Sequence, residues 1–284
     1  MAARLPDAPS DGDGWVDFVT SKRRSASPNR LRHLFLRKVD IMPLFSKRTK
    51  KSTPETPKVD EHFRHIAFIM DGNGRWAKKR GKPREYGHKV GSDTFKTICQ
   101  YCCDVGFQAI TVYAFSTENW KRPKAEVDAI MDILDKYLDE LVQNGHQYRN
   151  RFRFIGDLSV MTPTLREKIS YVESLNQEYD RILNIALNYG GRSEITHAFN
   201  TLAAAGKTAV SEEDIAGALY TKESGDPDMI VRTGGDLRIS NFLLWQAAYA
   251  ELYFTDKLWP DLTTADVDDI IRDFYSRKRR YGGL

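Results

Sequence analysis

The chain has 284 residues, 41% hydrophobic and 29% charged, with a formal net charge of +4. That length buries enough apolar surface for one large domain or two small ones without disulfide or metal staples. No stretch reaches the roughly 18 consecutive apolar residues that a bilayer-spanning helix needs, so an integral membrane protein is excluded.

Residues 1 to about 60 carry Pro, Ser, Asp and basic residues without sustained periodicity, and lack the apolar core and small-residue cleavage site of a secretory signal. They are expected to form a flexible basic extension. Within it, Leu31 to Phe45 mixes apolar and basic residues, so it reads either as an unstructured tail or as a basic amphipathic helix making a peripheral membrane contact. Basic clusters such as Lys47-Arg48-Thr49-Lys50-Lys51 and Arg277-Lys278-Arg279-Arg280 suit anionic partners. Nucleic acid is not expected, because no aromatic or groove-reading element accompanies them.

From His65 onward the texture changes to alternating strand and helix signals. Ile66 to Met70 reads as a strand ended by Asp-Gly-Asn-Gly, and Gly87 to Val105 as a helix stopped at Gly106. Cys99, Cys102 and Cys103 fall on that helix with no second Cys or His pair to complete a zinc site, so they read as reduced thiols of a cytoplasmic protein. Ala109 to Phe115 reads as a buried strand and Lys124 to about Val142 as an amphipathic helix. Then come Phe152 to Ile155 (strand), Pro163 to Glu178 (helix), Ile182 to Ala186 (strand), Ser193 to Ala205 and Glu212 to Leu219 (helices), and Met229 to Arg232 (strand). Leu252 to Phe254 forms a last strand and Thr264 to Tyr275 a closing helix. This alternation predicts one α/β domain over residues 61–284, with a mostly parallel sheet flanked by helices.

Ligands of such sheets gather beyond the carboxyl ends of the strands. Asp71, Ser116, Asn119, Asn188 and Arg232 each follow an apolar strand within a few residues. In Asp71-Gly72-Asn73-Gly74-Arg75, two glycines let the backbone approach an oxyanion and Arg75 adds charge, although the same run also makes an ordinary turn. Arg84 and His88 either extend that anion site or open a solvated helix. Ser116-Thr117-Glu118-Asn119-Trp120-Lys121-Arg122 reads as a polar site wall or, with Ser116 or Thr117 followed by Glu118 and the later Glu126, as helix capping. Arg232, Arg238 and Ser240 sit on a glycine-containing loop and can converge on a diphosphate. Glu251 follows a long apolar stretch and needs a partner, either an arginine or a divalent ion shared with Asp71.

The blocks His65-Ile66-Ala67-Phe68-Ile69-Met70-Asp71-Gly72-Asn73-Gly74-Arg75-Trp76-Ala77, Tyr113 to Trp120, Asn188 to Arg192, Arg232 to Phe242 and Ala250 to Phe254 resemble, in order, the signatures of the cis-prenyltransferases of the bacterial undecaprenyl diphosphate synthase type. The resemblance implies condensation of farnesyl diphosphate with successive isopentenyl diphosphates to a long polyprenyl diphosphate, undecaprenyl diphosphate for cell-wall glycan carriers, or a cis product of another length. A noncatalytic partner subunit is the competing reading, disfavoured because the diphosphate-site residues are all present. Asp71 would be the essential carboxylate and a magnesium ligand, with Glu251 as the second. Gly72, Asn73, Gly74, Arg75, Trp76, Arg84 and His88 would surround the allylic diphosphate, and Arg232, Arg238, Ile239 and Ser240 would hold isopentenyl diphosphate. Asn119 resembles the residue assigned to proton removal, and Ser116, Thr117, Glu118, Trp120 and Arg122 would complete the wall. Phe95, Ile98, Ile130, Leu134, Tyr137, Leu138 and Leu141 would line a hydrophobic tunnel between sheet and helices. The terminal Arg280-Tyr281-Gly282 resembles an element that reaches the active site across a homodimer, with Phe242 to Tyr253 at the interface. The implied setting is the cytoplasm, at the inner face of the membrane.

Overall fold

The computed structural model describes residues 56–277, so the N-terminal extension, its amphipathic stretch and Arg280-Tyr281-Gly282 lie outside the described residues. Six strands form one sheet: β1 (His65–Ile69), β2 (Ala109–Ser116), β3 (Arg151–Ile155), β4 (Ile182–Tyr189), β5 (Met229–Arg232) and β6 (Glu251–Phe254). Their order is β3-β4-β2-β1-β5-β6. Every pairing is parallel, where the sequence led to a mostly parallel sheet. Crossover helices explain this for β2 to β5, where α2 (Arg84–Val105), α3 (Lys124–Asn144), α4 (Pro163–Ser174), α5 (Gly191–Ala204) and α6 (Glu212–Ala218) return the chain; the long loop after β5 does the same for β6. Helix α7 (Thr264–Ser276) closes the described chain.

A parallel sheet is covered on both faces, and its strands read as continuous apolar runs. All five residues of β1 and all eight of β4 are buried. Alternation along β1 sends Ile66 and Phe68 into the core shared with α2, α3, α4 and α7, and Ala67 and Ile69 into a smaller core with Tyr189, Phe242 and Leu243. Phe68 is fully buried against Trp259, with ring centroids 5.8 Å apart. Phe68→Ala is expected to cost about 3–5 kcal/mol, read from denaturant unfolding. A loss below about 1 kcal/mol would contradict this packing.

One element was not legible. The chain does not leave β1 in an open loop but turns at once into the seven-residue helix α1 (Asn73–Lys79). Gly72 makes the turn at φ 108°, a left-handed conformation that glycine adopts freely. Helix α1 is seated on α2 at Gly87, where an added Cβ would stand 2.0 Å from the Asn73 carbonyl oxygen. The expected helix starts and ends elsewhere shift by a few residues; the fourth helix, for example, stops at Ser174 rather than Glu178.

Strand β1 pairs with β2 on one side and β5 on the other, and the chain order reverses there. Such a switch point opens a crevice beyond the carboxyl ends of the strands. Ile69 lies level with both Tyr113 and Arg232, so Asp71, Ser116 and Arg232 emerge side by side.

Candidate active site

A cavity of about 850 Å³ fills that crevice, within the range of small-molecule sites. Asp71 stands on its wall, and its backbone is fixed twice. The Thr233 hydroxyl accepts from the Asp71 amide (3.0 Å) and donates to its carbonyl (2.7 Å), while the Trp259 amide donates to the same carbonyl (2.9 Å). The carboxylate meets Arg232 Nη2 at 2.8 Å through Oδ2 and Arg75 Nη2 at 3.1 Å through Oδ1. Burial alone would push the Asp71 carboxyl up, but the Arg232 hydrogen bond and the charges of Arg75 and Arg232 outweigh it and hold the group below the usual carboxylate value.

Two groups of cations flank Asp71, each gathered on a carboxylate. On one side Asp236 Oδ2 takes Arg238 at 3.0 Å and Arg75 and Arg232 at 3.5 Å. Arg232 is nearly buried, and its Nη1 donates to Ser240 Oγ at 2.7 Å and to the Arg238 carbonyl. The loop that carries Ser240 is strained: Ser240, Asn241 and Leu243 all have positive φ. Asn241 anchors it by accepting from the amides of Gly191 (2.6 Å) and Arg192 (2.9 Å) and donating to Glu118 (3.1 Å). On the other side the Glu126 carboxylate accepts from Arg84 (2.8 and 3.1 Å), His88 (3.0 Å) and Arg122 (3.0 Å).

Burial raises the Glu126 carboxyl, but the Arg84 and His88 hydrogen bonds and the Arg122 charge reverse that and bring it from the ordinary 4.5 to about 2. A depressed carboxyl stabilises the fold above its unfolded value, and that contribution disappears as the pH falls through the folded one. Glu126→Gln is therefore expected to flatten the loss of unfolding free energy between pH 4.5 and about 2. An unchanged acid slope in denaturant titrations would contradict the assignment. Burial lowers the proton affinity of His88 more than Glu126 raises it, so the ring is neutral at pH 7.

Beside the polar cavity, and sharing Met70, Asn73, His88, Ala114 and Ile130 with it, lies an apolar space of about 100 Å³ between α2 and α3. Phe95 and Tyr137, in edge contact at 5.3 Å, separate it from a further space of about 310 Å³. A groove between α5 and α6, about 540 Å³, is lined by His197, Lys222, Glu213 and Asp214 among uncharged residues, and carries no arginine.

The arrangement of paired cation groups around one carboxylate, with apolar space alongside, invites comparison with known proteins. The family model described as "Putative undecaprenyl diphosphate synthase" matches residues 69–282. The chain belongs to this prenyltransferase family. An isoprenyl transferase of Helicobacter pylori is 44% identical over 80% of this chain and 99% of its own. The ditrans,polycis-undecaprenyl-diphosphate synthase ((2E,6E)-farnesyl-diphosphate specific) of Salmonella paratyphi A is 45% identical, covering 78% of this chain and 90% of its own. Among solved structures, lavandulyl diphosphate synthase from Lavandula x intermedia, in complex with dimethylallyl diphosphate, superposes with a TM-score of 0.74 at 34% identity, over 79% of this chain and 100% of its own. A probable undecaprenyl diphosphate synthase from Campylobacter jejuni gives 0.67 at 35% identity, over the same shares.

Within this prenyltransferase, the residues expected from β1 and α1 (Asp71, Gly72, Asn73, Gly74 and Arg75), from α2 (Arg84 and His88), from the end of β2 (Ser116, Glu118, Asn119 and Arg122) and from the β5 loop (Arg232, Arg238 and Ser240) all line the one cavity. Five others do not. The Trp76 indole points to the opposite side, donating to Asp261 (2.6 Å) under the Arg80 guanidinium. Trp120 donates to Asn188 (2.8 Å) and packs on Phe115, Thr117 lies against Gly190, and Ile239 packs on the smaller core.

Glu251 is the main correction. It opens β6 level with Met229, whereas Phe254 is level with Arg232 and Ile69, so it sits roughly 10 Å down the strand from Ile69, farther still from Asp71 beyond it, and two strands across. Its carboxylate is taken by Arg277 at 2.7 Å. Within the chain, Asp71 and Glu251 cannot share an ion. Conversely Glu126, Asp236, Thr233 and Asn241 shape the site and were not singled out as site residues. For Asp236, its place among Arg232 and Arg238 was the available signal.

Asn119 is held with its side-chain carbonyl accepting from the Ser116 amide (3.0 Å), which leaves its NH₂ as the free function. A donor of that kind orients an oxygen and does not take a proton.

Proposed function

We propose that this prenyltransferase condenses an allylic diphosphate, farnesyl diphosphate, with successive isopentenyl diphosphates to give undecaprenyl diphosphate for cell-wall lipid carriers. The observation that carries this is the pair of cation groups on either side of Asp71 in one cavity. One diphosphate needs no more than one such group; a second implies two diphosphates held together. The complex of the lavender enzyme with dimethylallyl diphosphate and the farnesyl-diphosphate specificity of the Salmonella enzyme support an allylic primer.

In this reading Arg75, Arg84 and His88 bind the primer diphosphate, and Arg232, Arg238 and Ser240 bind that of isopentenyl diphosphate. When the primer C–O bond breaks, negative charge collects on the departing oxygens, where the guanidiniums stabilise it more than in the ground state. The hydrocarbon lies in the apolar space beside Met70 and Ile130, away from water that would capture a cationic carbon. Electrons of the isopentenyl double bond form the new C–C bond, and a proton leaves the adjoining carbon to restore an alkene. Asn119 orients a diphosphate oxygen for that transfer. The spaces on either side of Phe95 and Tyr137 are the route proposed for the growing chain.

Magnesium fits this donor set. It usually takes one or two carboxylates and completes its shell with phosphate oxygens and water. Asp71 supplies one carboxylate with a suppressed proton affinity, and no group of three protein ligands occurs among the described residues. A bound magnesium would neutralise diphosphate charge, with Asp71 as its protein ligand.

The chain is further proposed to act as a homodimer through the edge strand β6, where Leu252 and the nearby Tyr249 (76% exposed) present apolar surface. No helix among the described residues is long and apolar enough to cross a membrane. The proposed place of action is the cytoplasm, at the inner membrane face. Product sizing after incubation with farnesyl diphosphate, labelled isopentenyl diphosphate and magnesium tests the chain length. A single long product supports the reading, and a product of one or two additions would replace it with a short-chain synthase.

A further inference from the structure

Glu126 stands near the start of α3, and its side chain is only 3% exposed. It bonds to three side chains from separate places: Arg84, the first residue of α2; His88, one turn later; and Arg122, from the turn before α3. All three line the polar cavity, and Glu126 does not. Arg84 commits Nε and Nη2 to the carboxylate and keeps Nη1; Arg122 commits Nη1 and keeps its other two nitrogens. Each thus retains donors for a second anion.

We propose that Glu126 is a positioning residue of the primer subsite, converging Arg84 and Arg122 on one diphosphate before it arrives, with His88 bracing the carboxylate between them. This rests on the two-diphosphate reading above. Arginine side chains on neighbouring elements repel one another, and the Arg84 side chain, 53% exposed, has water to extend into. The buried anion offsets that repulsion and fixes the planes of the guanidiniums, so ordering is complete before the ligand binds. Removing its charge also makes the pocket more positive, which alone would tighten an anion. Glu126 does not line the cavity, so that gain acts at a distance, whereas convergence acts through direct bonds. The loss of convergence removes several charge-assisted bonds at once and dominates.

The test uses Glu126→Gln, which keeps the shape, and Glu126→Asp, which keeps the charge but shortens the reach. Steady-state KM for farnesyl diphosphate and for isopentenyl diphosphate is measured separately, with kcat and melting temperature. Calorimetric binding of an unreactive farnesyl thiodiphosphate is measured alongside. The expected result for Glu126→Gln is a rise of about tenfold or more in primer KM and in the analogue's Kd, with the isopentenyl KM changed less than about twofold. Glu126→Asp is expected to fall between Gln and wild type. Unchanged primer KM and analogue Kd would overturn the proposal, as would equal rises in both KM values that follow the melting temperature. If Glu126→Gln does not fold, the same split in Glu126→Asp decides. A wild-type chain that binds the analogue without condensing would overturn the enzymatic reading while leaving the Glu126 test intact.

Discussion

Asp71→Ala is expected to lower turnover by about three orders of magnitude, or ~4 kcal/mol of transition-state stabilisation, with the chain still folded. The expectation follows from what the carboxylate touches. It orients Arg75, from α1, and Arg232, from the end of β5, and it is the only expected metal-ligand carboxylate at the carboxyl edge of the sheet. Its backbone is held by Thr233 and Trp259 through main-chain atoms, which the substitution leaves in place. Asp71→Asn, isosteric and uncharged, should fall nearly as far. The measurement is kcat at saturating substrates, with circular dichroism and melting temperature as controls on the fold. Near-normal turnover in either variant would refute the role.

Arg232→Ala is expected to raise the KM for isopentenyl diphosphate at least about 100-fold and to cost about 1–3 kcal/mol of stability. Arg232 is buried and ties Asp71, Asp236, Ser240 and the Arg238 carbonyl together, so its loss disperses the second cation group and leaves Arg75 alone to bridge the two carboxylates. Arg232→Lys should recover little, because an ammonium cannot reproduce the planar fork that reaches all four partners. A lysine variant with wild-type KM would show that charge alone is needed there.

The strands were legible because a parallel sheet buried on both faces demands unbroken apolar runs, and those runs end where the polar residues begin. Asp71, Ser116 and Arg232 could therefore be placed at one edge before any coordinates. Helix α1 was not legible. Two glycines flank Asn73 and carry poor helix propensity, and the helix forms because Gly87 and Gly91 let it seat on α2. Glu251 was paired with Asp71 by the resemblance, whereas the sequence itself put it just before a last strand at Leu252 to Phe254. It begins β6, after a loop with a short 3-10 turn at Gln246–Tyr249, and so lies at the amino end of the sheet with the arginine partner that the sequence left open. The roles of Glu126 and Asp236 depend on which cations converge in space, across as many as 42 residues for Glu126 and 161 for Asp236, and no local pattern encodes that.

The central claim is that one cavity holds two diphosphates and joins their hydrocarbons. It is tested most directly by transfer of label from isopentenyl diphosphate into an extractable lipid diphosphate, with purified full-length protein, farnesyl diphosphate and magnesium. The account predicts transfer that requires both substrates, is abolished by Asp71→Ala and releases one inorganic diphosphate for each isopentenyl unit added. A folded wild-type chain that transfers no label, or releases diphosphate without joining the two substrates, would contradict it.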